Sequence, residues 1–376
     1  MAKRGRILIL NERDPLHPQA GGVEVHVAEI SRRLTEMGYE ITQLATGFAG
    51  AAPRERVAGM DVRRLGPLAG YYPRAAWTCM RETRQDRYDL VVEHLCKVPF
   101  CAAAYSGVPV LAVSHHLFGR SAFLQVAWPI ASAVIAVEAL IPAIYRKLPF
   151  LAVSESSRDD LVARGIALEH IELLYNGISF PASEPRPWAG RGLRAAYFGR
   201  LEPYKRIDVF LRAMAQLVDR FPELEVLVIG DGSDRARLER LAAQLEIGAR
   251  TRFAGFVTDL ERDELLESAR VCVCPSVKEG WGISVVEASA RGTPTVATHA
   301  PGLVDAVRHE ETGLLVRDQP RDQFVPRIAE AVARLLSDES LAGRLSREGI
   351  EWSARFTWAD SAAVMARAVD RAMRAA

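Results

Sequence analysis

The sequence predicts two doubly wound α/β domains, and three observations carry this prediction. The chain has 376 residues, about the length of two ordinary domains. Short apolar runs rich in Val, Ile and Leu alternate with segments of helical period along the whole chain. The runs are continuously apolar, which indicates parallel strands covered by helices on both faces of a sheet.

The predicted strands form two sets of six, one for each domain. We expect the boundary in Pro181–Gly192, which is rich in Pro and Gly, so that the domains span residues 1–183 and 184–357. The strands of the first set are Ile7–Leu10, Ile41–Ala45, Asp89–Val92, Val108–Val113, Pro149–Val153 and Ile171–Leu174. Those of the second set are Ala195–Phe198, Val226–Ile229, Thr251–Phe253, Val271–Cys274, Thr295–Ala297 and Leu314–Val316.

Composition excludes several classes of protein. A net charge of +1 argues against nucleic acid as the main partner, because phosphate backbones select a strongly basic surface. The five cysteines lack the spacing of metal ligands, so we expect buried free thiols and a cytoplasmic protein. The four apolar residues before Asn11 are too few for a signal peptide.

The segment after the predicted buried strand Val271–Cys274 carries two carboxylates, Glu279 and Glu287. Gly280 and Gly282 allow the backbone to approach a ligand closely, just before a short predicted helix. Glu287 lies about 7 Å along that helix from its start. The two carboxylates can therefore contact different parts of one elongated ligand that is rich in hydroxyl groups.

This pattern resembles the Glu, seven residues, Glu signature of the retaining glycosyltransferases of family 4, the group 1 glycosyl transferases. The match includes Pro-Ser before the first Glu, the EGWG turn, and Glu-Ala followed by Gly-Thr-Pro. The resemblance implies the GT-B fold, two Rossmann-like domains that face a deep cleft. It assigns the acceptor to the N-terminal domain and the nucleotide sugar to the C-terminal one, and it implies that a helix in residues 358–376 packs back onto the N-terminal domain.

The segment Tyr197–Asp208 resembles the basic loop of this family. Arg200 can bind a diphosphate with two parallel hydrogen bonds, and Lys205 adds a mobile charge. Both would neutralise the departing diphosphate. Two ionised carboxylates would repel a diphosphate, so neither glutamate should face the phosphates. The resemblance assigns Glu279 to the donor sugar and Glu287 to the ribose hydroxyls. The predicted donor-binding residues are Gly21, Gly22, Gly199, Arg200, Lys205, Gly230, Gly232, Val257, Glu279, Gly280, Trp281, Gly282, Ile283 and Glu287.

Two departures from the family pattern affect these assignments. Trp281 stands where many members have Phe, so we expect a bulkier turn that alters sugar preference. Gly302 is followed by Asp305, where the family commonly has two glycines and then Glu.

No Asp-x-Asp occurs in the chain, which favours transfer without a metal ion and without a cofactor.

The acceptor side carries two candidate features. Gly21 and Gly22 are expected to expose backbone N–H groups at the start of a helix, and the alternative is a tight turn without a ligand. His115 and His116 follow a predicted strand, where family members often carry a histidine beside the sugar. We favour His115 as the catalytic candidate, with His116 next to it, together with Arg200, Lys205 and Glu279; the alternative is a buried structural histidine.

Residues 122–144 contain a long apolar run interrupted by Pro129 and Pro142. The interruptions argue against a transmembrane helix, which needs about 20 apolar residues. A core helix of the first domain is the favoured interpretation. A helix on the membrane surface, serving a lipid-linked acceptor, is the alternative.

The predicted activity is transfer of a hexose-type sugar from a UDP- or GDP-sugar, such as GDP-mannose, to a hydroxyl acceptor, with retention of configuration. Retention and a place in polysaccharide biosynthesis are implied by the resemblance alone. A nicotinamide oxidoreductase would need Gly-x-Gly-x-x-Gly after the first strand, where the chain has Asn11, Glu12 and Arg13. A protein that only binds or hydrolyses nucleotide sugars remains the alternative.

Overall fold

The computed structural model describes residues 4–96, 98–124, 126–181 and 183–375. It divides into two compact units, Met1–Gly177 with Thr357–Ala376, and Ile178–Phe356. We call these unit 1 and unit 2 and describe each by itself. The first boundary follows Gly177 rather than residue 183. The reason is local pairing, since the N–H of Ile178 donates to the carbonyl of Phe356 at 3.1 Å and so ties both ends of unit 2 together.

Unit 1 contains a sheet with the spatial order β3-β4-β2-β1-β5-β6-β7-β8. Neighbouring strands are parallel except for β3 and β4, which form an antiparallel hairpin that the sequence analysis missed. The six predicted strands are all present. The bounds are β1 (Gly5–Leu10), β2 (Tyr39–Ala45), β3 (Arg54–Val57), β4 (Met60–Arg64), β5 (Leu90–Leu95), β6 (Val110–Ser114), β7 (Phe150–Ala152) and β8 (Ile171–Leu173).

Unit 2 contains a parallel sheet with the order β11-β10-β9-β12-β13-β14. All six of its predicted strands are present, so the expected Rossmann-like pattern is confirmed in both units. The bounds are β9 (Arg194–Phe198), β10 (Glu225–Ile229), β11 (Thr251–Gly255), β12 (Val271–Cys274), β13 (Thr295–Thr298) and β14 (Gly313–Val316).

Helices cover both faces of each sheet. Those of unit 1 are α1 (Gly22–Glu36), α2 (Tyr71–Thr83), α3 (Trp128–Glu138), α4 (Ile141–Tyr145), α5 (Glu155–Ala163) and α13 (Trp358–Arg374). Those of unit 2 are α6 (Ile207–Ala215), α7 (Arg235–Gln244), α8 (Asp259–Ser268), α9 (Ile283–Ala290), α10 (Leu303–Ala306), α11 (Phe324–Ser337) and α12 (Glu339–Ser353).

The core of unit 1 depends on α13, although this helix lies far along the chain. Its buried face packs with the buried stripe of α1 and with one face of the sheet. Trp358 and Met365 of α13 are 4% and 1% exposed, and Val27 and Ile30 of α1 are 1% and 3% exposed. Burial of this apolar area is the main favourable term that holds α13 on unit 1.

The apolar run in residues 122–144 does not form a core helix. Apart from Gln125, which lies outside the described residues, it forms a short turn and then α3, of which only Ala131, Val134 and Glu138 are buried. The window Trp128–Tyr145 has a mean hydropathy of 1.6 and the length of a membrane span, and 28% of it is buried. One such window is weak support for a membrane span, and this one is divided between α3 and α4.

Candidate nucleotide-sugar site

Three loops of unit 2 lie at the carboxyl edge of its sheet. They follow β9, β10 and β12, with β9 in the centre. The first two loops are bonded through their backbones. The N–H of Gly199 donates to the carbonyl of Ile229 at 3.0 Å, and that of Leu201 to the carbonyl of Asp231 at 2.9 Å. In open parallel sheets ligands bind at this edge, so the predicted donor segments lie where such a ligand would be expected.

Gly230 and Gly232 allow two of these loops to touch. A Cβ atom on Gly230 would lie 2.1 Å from the carbonyl oxygen of Gly199, and one on Gly232 would lie 2.3 Å from that of Leu201. Separations this short require the backbone to move. Both positions therefore need glycine for packing, whether or not a nucleotide binds there.

Lys205 and Glu279 form an ion pair between two loops. The Nζ of Lys205 donates to both carboxylate oxygens of Glu279, at 2.6 and 2.8 Å. The backbone sets this pairing, since the N–H of Val277 donates to the carbonyl of Tyr204 at 3.1 Å. Burial alone would lower the pKa of Lys205, but the adjacent Glu279 outweighs burial and raises that pKa above its usual value. Lys205 is therefore charged at neutral pH.

Arg200 lies on the same loop as Lys205 and is partly exposed. Its Nη2 donates to the hydroxyl of Tyr204 at 3.2 Å, and the centre of the Tyr204 ring lies 5.2 Å from the Nζ of Lys205. One tyrosine therefore holds a guanidinium group and an ammonium group close together. Two cations in this arrangement suit the two phosphates of a nucleoside diphosphate.

Glu287 lies on α9, which begins after Gly282 in the left-handed conformation at φ 82°. Its side chain is 11% exposed, and Nη1 of Arg262 lies 3.4 Å from its Oε1. Burial raises the pKa of Glu287, and the charges of Arg262 and Arg291 partly offset that rise. The carboxylate is thus a nearly buried hydrogen-bond acceptor, which fits a pair of hydroxyl groups.

Gly302 lets a fourth loop approach Glu279. The N–H of Glu279 donates to the carbonyl of Pro301 at 3.0 Å. A Cβ atom on Gly302 would lie 2.2 Å from the carbonyl oxygen of Glu279, and its φ of 79° also favours glycine. Asp305, which replaces the usual Glu, lies on α10 and is partly exposed. The backbone of this loop therefore contacts and supports the backbone of Glu279.

Trp281 does not present its side chain to a ligand within unit 2. It is 2% exposed, and its ring packs edge-on against Phe356 at a centroid distance of 4.8 Å. Phe356 in turn packs against Trp352 at 5.0 Å. The indole ring supports the EGWG turn from the interior, which leaves only the backbone of Trp281 to contact a donor.

The remaining predicted donor residues of unit 2 lie near this edge. Gly199, Gly280 and Ile283 are partly exposed, and Val257 is partly buried against the smaller core cluster. The sequence analysis missed Phe256, which is 94% exposed beside Val257. An exposed aromatic ring at this point could stack on a planar base.

In unit 1, α1 begins at Gly22 with Gly21 as its N-cap, so the predicted helix start at this glycine pair is present. The N–H of Gly21 donates to Oε2 of Glu24 at 2.7 Å, so this group already has a partner within the loop. The prediction that both glycines expose N–H groups to a ligand is therefore wrong for Gly21. Gly22 is exposed at the start of the helix.

His115 and His116 differ in exposure. His115 is 2% exposed and faces the interior of unit 1. His116 is partly exposed, with its ring edge-on to Phe118 at a centroid distance of 5.5 Å. The sequence analysis favoured His115, but in the structure it is His116 that has accessible surface. His115 fits the buried alternative.

His115 belongs to a buried cluster with His26 and His94 that the sequence analysis missed. The Nδ1 of His94 and Nε2 of His115 are hydrogen-bonded at 2.9 Å, and Nδ1 of His26 is bonded to Oδ1 of Asn176 at 2.7 Å. Burial lowers the pKa of His26 to about 4 and holds the pKa values of His94 and His115 well below their usual range. All three rings are therefore neutral at pH 7.

One ring nitrogen from each of these three histidines lies within 4.8 Å of the other two, so a metal ion has to be considered. Tetrahedral zinc with nitrogen ligands at about 2.0–2.1 Å would place those nitrogens about 3.4 Å apart. Here two rings are instead bonded to each other, with a proton between His94 and His115. The geometry fits a hydrogen-bonded histidine cluster, and we assign no metal to it.

Two family models match the chain. Residues 20–180 match Glycosyltransferase Family 4, and residues 183–352 match Glycosyl transferases group 1. The D-inositol 3-phosphate glycosyltransferase of Streptomyces bingchenggensis is 30% identical over 96% of this chain and 88% of its own length. D-inositol 3-phosphate glycosyltransferase 2 of Catenulispora acidiphila is 29% identical over 96% of this chain and 93% of its own.

Solved structures agree with this assignment at the level of the fold. Sucrose-phosphate synthase from Thermosynechococcus elongatus has a TM-score of 0.81 and 22% identity, covering 99% of this chain and all of its own. Anabaena HepE, solved in complex with UDP-glucose, has a TM-score of 0.75 and 17% identity, covering 98% of this chain and all of its own. Both family models and both relatives point the same way, and the chain belongs to the group 1 glycosyltransferases of family 4, which have the GT-B fold.

Proposed function

We propose that the protein is a retaining, metal-independent hexosyltransferase that uses a UDP- or GDP-sugar and a hydroxyl acceptor. The observation that carries the proposal is the charged assembly at the carboxyl edge of unit 2. There the Nζ of Lys205 donates to Glu279 at 2.6 Å, and Arg200 donates to the hydroxyl of the neighbouring Tyr204. Glu287 is nearly buried on helix α9. This combination offers cations for a diphosphate and carboxylates for sugar hydroxyls.

In the proposed reaction Arg200 and Lys205 bind the diphosphate. The bond between the anomeric carbon and the diphosphate oxygen breaks, and the acceptor oxygen forms a new bond to that carbon on the same face. The acceptor proton passes to the departing diphosphate, whose charge the two cations stabilise. Lys205 would share its ammonium group between Glu279 and phosphate, since it has three donors.

The carboxylates bind the two ends of the donor in this proposal. Glu279 accepts hydrogen bonds from the transferred sugar, and Glu287 accepts them from the ribose 2′- and 3′-hydroxyls. Because Lys205 neutralises Glu279, the carboxylate does not repel the diphosphate as a free one would. His116, which has accessible surface, is assigned to the acceptor side, and the buried His115 precedes it in the chain.

The first test is binding of nucleoside diphosphates. A thermal-shift series with UDP, GDP, ADP and dTDP, each with and without EDTA, should show stabilisation by UDP or GDP that EDTA does not change. A ligand at 100 times its Kd stabilises by about 2.7 kcal/mol, which is measurable. No shift with any diphosphate, or a shift that EDTA abolishes, would contradict the proposed donor site.

Glu287→Gln should raise the KM for the donor at least about tenfold, because a neutral amide accepts hydroxyl hydrogen bonds more weakly than a carboxylate. Glu330→Gln, an exposed position of unit 2, is the matched control. Wild-type kinetics in Glu287→Gln would remove the central residue of the proposal. An inverted anomeric product, seen by NMR, would overturn retention and leave the fold assignment intact.

Acceptor-dependent release of the nucleoside diphosphate separates a transferase from a protein that only binds or hydrolyses nucleotide sugars. D-inositol 3-phosphate belongs in the acceptor series because the relatives described above carry that name. Release that does not depend on any hydroxyl acceptor would favour the hydrolytic alternative.

We further propose that the protein is cytoplasmic and contacts the inner face of the membrane through residues 122–144, for a lipid-linked acceptor. Trp128 and Ile130 are 74% and 56% exposed on an apolar helix, and the basic residues Arg146 and Lys147 are exposed after it. Apolar side chains with adjacent positive charge suit an anionic lipid surface.

The membrane proposal is tested by flotation with vesicles that contain phosphatidylglycerol. The wild-type protein should float with them, and a Trp128→Ser/Ile130→Ser variant should not. Leu260→Ser, which changes a 68% exposed leucine in unit 2, is the control. Wild-type protein that stays wholly in the soluble fraction would exclude the membrane contact.

A further inference from the structure

The carboxylate of Glu287 is ion-paired with Arg262, and a second arginine, Arg291, lies nearby. Nη1 of Arg262 lies 3.4 Å from Oε1, and both side chains are nearly buried, at 10% and 11% exposure. The guanidinium of Arg291, one turn along α9, donates instead to the backbone carbonyl of Glu287 at 3.0 Å. Arg262 is therefore the group that directly faces the carboxylate.

Arg262 is held in place by two acidic residues of its own helix. Its Nη1 donates to Oδ1 of Asp259 at 2.8 Å, and its Nε and Nη2 donate to Oδ1 of Asp263 at 3.0 and 2.9 Å. Asp263 is also ion-paired with Arg291. A planar guanidinium with several fixed bonds has little freedom left, so it presents its charge to Glu287 from a defined position.

The charges around Glu287 oppose one another. Burial raises its pKa; Arg262 and then Arg291 lower it, and Asp259 and Asp263 raise it. A nearly buried carboxylate without a cation takes up a proton, because desolvation penalises its charged form. A protonated Glu287 would be a weaker acceptor for hydroxyl groups. The cation that faces it therefore favours the ionised form, which is the better acceptor.

We propose that Arg262 is a positioning residue for Glu287, which keeps the carboxylate ionised and fixes Oε1, so that Oε2 is directed to the hydroxyl groups of the ligand. This inference rests on the proposed function for the identity of that ligand. It goes beyond it by assigning a role to α8, which carries none of the predicted site residues. A further consequence is that donor binding depends on pH through the ion pair of Arg262 on α8 and Glu287 on α9.

The first experiment needs no ligand. NMR of protein labelled with ¹³C at the carboxyl carbons of glutamate follows Glu287 through a pH titration, with Glu287→Gln identifying its signal. In Arg262→Gln the midpoint of Glu287 should move to higher pH, and in Arg262→Lys it should stay closer to the wild-type value. Arg240→Leu, an exposed position on α7, should leave it unchanged. An unchanged midpoint in Arg262→Gln overturns the inference, whatever the protein binds.

The second experiment is a double-mutant cycle on donor kinetics. Arg262→Gln should raise the KM for the donor about tenfold, leave kcat less affected, and move the acid limb of kcat/KM to higher pH. In the Glu287→Gln background the same change should add little, because the residue it acts through is already neutral. Equal effects in both backgrounds would show a merely structural role for Arg262 and overturn the inference.

These outcomes separate the inference from the proposed function. If the wild type binds a nucleoside diphosphate and Glu287→Gln weakens it, the proposed function stands, and the cycle decides on Arg262. If no nucleotide binds, the proposed function falls, and the NMR titration still decides whether Arg262 controls Glu287. Circular dichroism confirms folding, and Arg262→Met, which also removes the charge, serves where Arg262→Gln unfolds.

Discussion

Replacing His26 should make the stability of unit 1 less sensitive to acid. The His26 ring is fully buried, and burial lowers its pKa to about 4, against 6.5 for an unperturbed histidine. As the pH falls from above 6.5 towards 4, the unfolded chain takes up this proton before the folded unit does. The free energy of unfolding of unit 1 therefore decreases as the pH falls through that window, and the contribution of the neutral His26 is fully present only above the pKa of the unfolded chain.

The size of the effect follows from the two pKa values. A gap of about 2.5 units at 1.36 kcal/mol per unit corresponds to about 3 kcal/mol below pH 4. At pH 5 the folded ring is still almost wholly neutral, and the loss relative to pH 7.5 is about 2 kcal/mol. His26→Gln cannot take up this proton, so its stability should fall by about 2 kcal/mol less than that of the wild type over the same pH change.

Native-state hydrogen exchange, read by mass spectrometry on peptides of α1, measures the unfolding free energy of unit 1 without assuming that both units unfold together. The quantity to compare is the change between pH 7.5 and pH 5 in each variant, which removes any constant cost of the substitution. His170→Gln, on a partly exposed turn of unit 1, is the control. Equal losses in His26→Gln and the wild type would refute the reasoning.

Three further substitutions have defined outcomes. Lys205→Met should lower kcat about 10²–10³-fold, because it removes a cation from the departing diphosphate; a loss below tenfold in steady-state kinetics would contradict this role. Gly302→Ala should raise the donor KM, since its Cβ would lie 2.2 Å from the Glu279 carbonyl oxygen; an unchanged KM in folded protein would show that the loop adapts. Trp281→Phe should lower the unfolding free energy by about 1–3 kcal/mol, because it loses packing on Phe356. It should leave sugar preference unchanged, and an altered ratio of kcat/KM between two donor sugars would show that the indole acts on the donor.

The alternation of apolar runs predicted the strands well because most of them are buried on both faces. The hairpin of β3 and β4 was missed for the opposite reason. Six of the eleven residues in its sequence, RERVAGMDVRR, are charged, and its tip is Ala58-Gly59 rather than a stronger turn pair. Strands at the edge of a sheet carry such charges, and periodicity alone does not distinguish them from a loop.

The sequence predicted those site residues whose positions depend on local spacing. It did not predict contacts between segments that are distant in the chain. The Glu279 and Glu287 spacing and the glycines around it lie within one loop and helix. Arg262 could not be placed beside Glu287, because that contact depends on how α8 and α9 pack. The burial of His115 depends in the same way on its packing with His26 and His94, which lie on other elements. A glutamate or histidine within an apolar strand, as in LVVEHL, is the one signal that could have indicated a buried polar cluster.

The return of the chain to unit 1 has a consequence for synthesis on the ribosome. The residues of unit 2, about 180 of them, are translated between β8 and α13. At about 5–20 residues per second, roughly 10–40 s pass before α13 can cover Val27 and Ile30 of α1. During this interval the emerging N-terminal half presents an uncovered apolar surface. It is in this period that the nascent chain depends most on chaperones, and a stalled ribosome would leave an aggregation-prone product.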